Sequence, residues 1–136
     1  MVFGTFDIVH KGHEHFFQQA RSLAKNPFLI VSIARDKNVK RIKGKKPIAS
    51  EAKRLAKIKT LSEVDLAVLG AIGDHIPHIV KQKPDIIALG YDQTNYVNGL
   101  KQQLAAAGLA TKIIRLKSHK PHIYKTSLLQ LNKIKK

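Results

Sequence analysis

Residues 28–34 read Phe-Leu-Ile-Val-Ser-Ile-Ala, a nearly continuous apolar run rich in β-branched side chains. A strand apolar at almost every position must be covered on both faces, unlike the alternating strands of a sheet that leaves one face in water. Parallel strands meet that need, because each connection between them crosses the sheet, usually as a helix. The remaining sequence supplies the helices. Met1, Val2 and Phe3 are β-prone, a short run against the ~5 residues of a usual strand, and Gly4-Thr5-Phe6-Asp7 is turn-like. A helix is expected over residues 12–25, with Phe16, Phe17, Ala20, Leu23 and Ala24 at core-facing spacing and Asn26-Pro27 as its stop.

Past the apolar run, Lys37, Lys40, Arg41, Lys43, Lys45 and Lys46 make a basic loop or a weak helix ending in a loop at Gly44. Ser50 is placed to cap a helix reaching Leu61, with Leu55, Ile58 and Leu61 on one face. Strands follow at residues 64–69, 86–89 and 112–116, and helices at 76–81, 99–108 and 126–134. The expected fold is α/β: a Rossmann-like, doubly wound parallel sheet of five strands in a single domain, residues 1–136. Such a sheet binds ligands in the crevice at the carboxyl ends of its strands.

Lys and Arg number 25 against 9 Asp and Glu, a formal charge of +16, so anions are drawn to this surface. That charge alone does not choose among a nucleotide, a nucleic acid and an anionic membrane. With no cysteine, a disulfide framework, a thiolate zinc site and a cysteine nucleophile are excluded together. The apolar runs fall far short of the ~20 residues that cross a bilayer, and no signal-peptide pattern is visible, so the cytoplasm is the expected location.

The residues with most chemistry are Gly4-Thr5-Phe6-Asp7-Ile8-Val9-His10-Lys11-Gly12-His13, where two histidines three apart straddle a glycine at a helix start. A helix N-terminus offers unpaired N–H groups and the positive end of its dipole to a phosphate. Two imidazoles there can donate to phosphate oxygens, and glycines let a nucleotide approach the backbone. Taken alone, His-x-Gly-His fits ordinary surface histidines in a capping turn equally well. The preceding Gly-Thr-Phe-Asp after a strand changes that balance.

The whole string resembles the signature of the HxGH, or cytidylyltransferase-like, nucleotidyltransferase superfamily, which includes glycerol-3-phosphate cytidylyltransferases, heptose-phosphate adenylyltransferases and archaeal FAD synthases. The resemblance implies catalytic roles for His10 and His13 on the nucleotide phosphates, with Gly4, Thr5, Phe6 and Gly12 beside the nucleotide. It implies that Lys43, Lys45 and Lys46 cover the triphosphate, Lys43 as a catalytic group, and that Arg54 is the helix arginine reaching the phosphates. The acidic residue usual before that arginine is Lys53 here. Gly90-Tyr91-Asp92-Gln93 corresponds to the Gly-x-Asp segment by the base and acceptor. Gly90 and Asp92 are nucleotide-binding in that reading, and Asp7, Tyr91, Asp92 and Gln93 acceptor-binding. Thr126 and Ser127 stand where relatives hold the β- and γ-phosphates, with Tyr124 and Lys125 departing from the commoner small residues. His15, outside the motif, is expected on the helix surface.

By that resemblance an acceptor phosphate attacks the α-phosphorus in line and pyrophosphate leaves. No general base is needed, since the acceptor is already anionic. Leu-Gly-Tyr-Asp-Gln is most like the archaeal-type FAD synthases, which favours ATP and FMN as substrates over CTP and glycerol 3-phosphate or another polyol or sugar phosphate. Mg²⁺ is expected to arrive on the nucleotide; His119 and His122 make no four-ligand set with His10 and His13. A homodimer is expected, with no nucleic-acid or membrane partner. Two other readings stay open: a nucleic-acid-binding module, from the charge and the tail Lys133-Ile134-Lys135-Lys136, and a non-catalytic nucleotide sensor, from Lys53 and Tyr124.

Overall fold

The computed structural model describes residues 1–94 and 97–117. Their elements alternate: β1 (Val2–Gly4), α1 (Lys11–Arg21), β2 (Ile30–Ile33), α2 (Asp36–Lys43), α3 (Glu51–Lys59), β3 (Leu66–Leu69), α4 (Ile76–Gln82), β4 (Ile86–Leu89), α5 (Leu100–Ala106) and β5 (Lys112–Arg115). All pairings are parallel: β1 with β2, β2 with β3, and β4 with β5. The two ladders meet at Met1, whose ammonium donates to the Ile86 carbonyl at 2.8 Å and whose carbonyl accepts from Ala88 N–H at 3.0 Å. The strands thus run side by side in the order 3-2-1-4-5. Because β1 is short, a single residue carries the seam to β4, so the expected five-stranded sheet is hydrogen-bonded as three strands plus two.

Strand alternation sorts the apolar residues onto two cores. Val2, Val31, Ile33, Ala67 and Ala88 point to one face, where Phe17 of α1 and Ile58 of α3 cover them. Met1, Ile30, Ile87 and Leu89 point to the other, under Ile79 of α4 and Leu104 of α5. Full burial of a side chain such as Phe17, Ile33 or Ile58 contributes roughly 1.5–3 kcal/mol. Ser32 shares the α4/α5 face with Ile30 and is 3% exposed, a buried hydroxyl within an apolar strand.

One boundary shifts and one alternative is decided. Helix α1 ends at Arg21, short of residue 25, because the Ser22 hydroxyl donates to the Gln19 carbonyl and the chain turns there. Of the two alternatives for the basic stretch after β2, the structure takes the helix, α2, anchored by buried Asn38 and Val39 and ending at Gly44 as read. Asp36 in its first turn and Lys40, Arg41 and Lys43 in its last suit the helix dipole, and Gly44 closes it with φ +81°, a conformation other residues rarely adopt. The helix expected at residues 126–134 lies outside the described residues.

Candidate active site

Strand order 3-2-1-4-5 reverses direction between β1 and β4, and at such a switch point the connecting loops part to leave a crevice. The Gly4–His13 segment leaves β1 at that point. Its backbone is unusual at once: Phe6 has φ +53°, uncommon for a bulky residue. This folds the Phe6 ring back over Gly4, where a β-carbon would lie 2.5 Å from the ring. Gly4 is therefore needed by Phe6. Phe6 itself is buried in the core, 5.4 Å from the Phe17 ring, with its ring edge-on to His13 at 5.3 Å. Expected beside the nucleotide, Phe6 instead lies beneath His13 and fixes its ring.

His10 is the N-cap of α1, and its imidazole acts where a Ser or Asp would. Its Nδ1 accepts from Gly12 N–H at 3.0 Å, and His13 Nδ1 accepts from His10 N–H at 3.3 Å, a capping box made of two imidazoles. The His10 carbonyl also accepts from the N–H groups of His13 and Glu14. The backbone donors of Gly12, His13 and Glu14, expected to be open to a phosphate, are thus occupied. What the turn offers is the rings. An accepting Nδ1 carries no proton, so each neutral ring has its N–H at Nε2. The rings stack at 3.9 Å, inclined by 27°. Burial lowers the His10 pKa, and burial followed by repulsion from His10 lowers that of His13 to about 3. Near neutral pH the pair is a set of uncharged Nε2–H donors. His15 is half-buried along α1, not fully on its surface as expected.

Asp7 and Arg54 hold this turn in place. Both Asp7 carboxylate oxygens accept backbone N–H groups, Ile48 at 2.7 Å and Ala49 at 2.8 Å, which pins the entry to α3 against the signature loop. Asp7 thus serves the backbone, where acceptor binding was expected. Arg54, 1% exposed, is spent inside the protein: it donates to the carbonyls of Ala49 at 3.1 Å, Thr5 at 2.9 Å and Ala34 at 2.7 Å, and to Asp36 Oδ1 at 2.7 Å. Its expected reach to the phosphates is replaced by a bond to the ends of β1 and β2 and the starts of α2 and α3. Asp36 resists its partial desolvation: the Arg54 hydrogen bond, the Glu51 N–H and the charges of Arg54 and Lys46 hold it below the ordinary carboxylate range. Glu51 completes the clamp, accepting from Arg35 Nε at 2.8 Å and from Asp36 N–H at 2.9 Å.

At the end of β4, Gly90 N–H donates to Gln93 Oε1 at 3.2 Å, and Gln93 Nε2 reaches the Phe3 carbonyl at 3.4 Å, tying this loop to β1. Arg115 Nη1 donates to the carbonyls of Gly90 and Gln93, both at 2.8 Å. Tyr91 and Asp92 are exposed here. A cavity of about 220 Å³ opens at the carboxyl ends of the strands, bounded by Gly4 and Thr5, by Asp92 and Gln93, and by Lys43 at the end of α2. Lys45 and Lys46 are exposed on the loop that follows α2 and do not line it. Thr126 and Ser127 lie outside the described residues.

Sequence reasoning missed the far wall of this cavity. Ser32, Asn38 and His78 line it, with Ser32 Oγ and His78 Nε2 2.9 Å apart and Asn38 Nδ2 donating to the Ala71 carbonyl at 2.6 Å. Burial, then the neighbouring His75 and Lys81, lower the His78 pKa. Ser32 left a signal, being the one polar residue in an apolar strand; His78, in a short helix, left none.

A doubly wound parallel sheet with an HxGH turn at its switch point defines a nucleotide-binding α/β protein, and the profile of the cytidylyltransferase-like family matches residues 1–130. The chain belongs to that family. It is 45% identical over 117 residues to the FAD synthase of Korarchaeum cryptofilum, covering 85% of this chain and 79% of that protein. With the FAD synthase of Methanothermus fervidus it shares 40% over 136 residues, 99% of this chain and 93% of that one. A crystal structure of the lipopolysaccharide core biosynthesis protein of Thermoplasma volcanium superposes with a TM-score of 0.80 at 40% identity, covering 88% of this chain and 96% of that one.

Proposed function

We propose that this chain is an FMN adenylyltransferase, an FAD synthase, acting as one nucleotidyltransferase domain over residues 1–136. The observation that carries this is the stacked His10–His13 pair, each Nδ1 accepting a backbone N–H, at the switch point of a chain 40–45% identical to proteins named FAD synthase. An FMN phosphate oxygen attacks the α-phosphorus of ATP, the bond from that phosphorus to the bridging β-phosphate oxygen breaks, and pyrophosphate leaves. His10 and His13 donate from Nε2 to phosphate oxygens as charge shifts toward the leaving group. Neutral donors held by their own Nδ1 contacts need no reorganisation at that moment. Lys43 at the cavity edge and Lys45 and Lys46 beyond it attract the triphosphate.

Among the described residues no group of three or more His, Asp or Glu side chains could hold a metal ion. In our reading Mg²⁺ enters on the triphosphate, held by its oxygens. The enzyme works in the cytoplasm, with no nucleic-acid or membrane partner, and pairs as a homodimer, an expectation carried from the family resemblance. Among the described residues no helix is long and apolar enough to cross a membrane.

The structural relative named for lipopolysaccharide core synthesis favours a sugar or polyol phosphate as the second reading of the acceptor. Pyrophosphate release decides, with ATP or CTP each offered FMN, glycerol 3-phosphate, a heptose phosphate or no acceptor. The expected result is turnover with ATP and FMN. Turnover only with CTP and glycerol 3-phosphate, or only with the sugar phosphate, would move the enzyme to the second reading. Binding of random DNA with steep salt dependence and no turnover of any nucleotide would make it a nucleic-acid module.

A further inference from the structure

The cavity beside the histidine turn is lined by both apolar and polar side chains. Its apolar lining comes from three helices: Val39 and Ile42 of α2, Ile79 of α4 and Leu100 of α5. The lining also includes three polar residues, Ser32 of β2, Asn38 of α2 and His78 of α4, of which Ser32 is 3% and Asn38 8% exposed. Burying a hydroxyl and an amide has a cost of roughly 1–3 kcal/mol each unless they find partners, and these groups are only partly used. Asn38 spends one amide N–H on Ala71 and keeps a second. The Ser32 hydroxyl meets His78 Nε2, which leaves it further acceptor capacity. Ser32, Asn38 and His78 therefore offer donors and acceptors within a largely apolar slot.

No carboxylate lines the slot except Asp92 at its mouth, so a cation is not its natural occupant. A polyol phosphate is also a poor match, because it would leave four apolar side chains uncovered and fill the space with hydroxyls. The complementary ligand is a flat, largely apolar heteroaromatic ring with alternating carbonyl and N–H groups along one edge. At about 220 Å³ the slot is smaller than the ~300–1,000 Å³ pockets that enclose a whole drug-sized ligand. It suits one ring system, with Gly4 and Thr5 of the histidine turn at its edge.

We propose that the slot between α2 and α4 is the subsite for the acceptor's isoalloxazine ring, its pyrimidine edge read by Ser32, Asn38 and His78. This rests on the FMN adenylyltransferase reading and assigns specificity residues within it. Ala71 lines the same slot, so Ala71→Leu fills it, while His78→Ala removes part of the polar lining without adding volume.

The test is FAD formation with each substrate varied at saturating levels of the other, in the unmodified protein and both variants. KM for FMN should rise roughly tenfold or more in each variant, with KM for ATP within about twofold. Riboflavin, which has the ring without the phosphate, should compete with FMN in the unmodified protein and lose that competition in Ala71→Leu. A rise in KM for ATP instead, or an unchanged KM for FMN in both variants while FAD is still made, would overturn the subsite and leave the FMN reading standing. An unmodified protein that makes no FAD from ATP and FMN would remove that reading, and the subsite with it.

Discussion

The histidine turn and the slot beside it share the end of β1 but are assembled differently. In the turn, Gly4 accommodates Phe6, His10 caps Gly12, and His13 accepts from His10, all over ten residues of chain. The slot draws Ser32 from β2, Asn38 and Lys43 from α2, Ala71 from the end of β3 and His78 from α4. Local assembly makes a site rigid through its own hydrogen bonds. Distributed assembly makes it depend on whatever holds the elements together, and here Arg54 joins the two. Its bonds to the Thr5 and Ala34 carbonyls and to Asp36 fix the floor of the turn and the exits of β2 that bound the slot.

If Arg54 is that joint, its loss should be the largest effect, felt by both regions. Arg54→Ala strands three carbonyls and the Asp36 carboxylate, and should lower unfolding free energy by about 3 kcal/mol in urea titration. Arg54→Lys should recover little, since an ammonium cannot meet four acceptors in a planar fork. Stability within about 0.5 kcal/mol of the unmodified protein in Arg54→Ala would break the link between the regions.

A smaller effect separates the histidines from ordinary surface ones. The His13 pKa is lowered in the folded protein, so the unfolded chain takes up a proton near pH 6.5 that the folded ring refuses down to about pH 3. The contribution of His13 to stability is complete above pH 6.5 and is lost progressively as pH falls from there toward 3. Histidine NMR shifts should show His13 unchanged between pH 8 and 5; a midpoint near 6.5 would mean an exposed ring and a looser turn.

The same contrast governs how much could be read from sequence. The alternation of strands and helices was legible because buried parallel strands leave apolar runs, and β4 falls on residues 86–89 as read. The histidine turn was legible because its partners are neighbours in the chain. The direction of Arg54 was not, because an arginine on an amphipathic helix can face either way; its spacing of four from buried Ile58 was the available clue. The backbone role of Asp7 was not legible for a related reason, since its partners Ile48 and Ala49 lie some forty residues along the chain. The slot was scarcely legible: Ser32 stood out as a polar residue in an apolar strand, but Ser32, Asn38 and His78 become neighbours only through the order 3-2-1-4-5, which no local spacing encodes.

A division of labour, with the histidines on the phosphates and the slot on the ring, is tested most directly by the kinetics of His10→Ala in FAD formation from ATP and FMN. The account predicts that kcat falls by about a hundredfold or more, as when one positioned transition-state donor is removed, while KM for FMN stays within about twofold. A preserved kcat with a raised KM for FMN would contradict it, because His10 would then bind the acceptor and not the transferring phosphate.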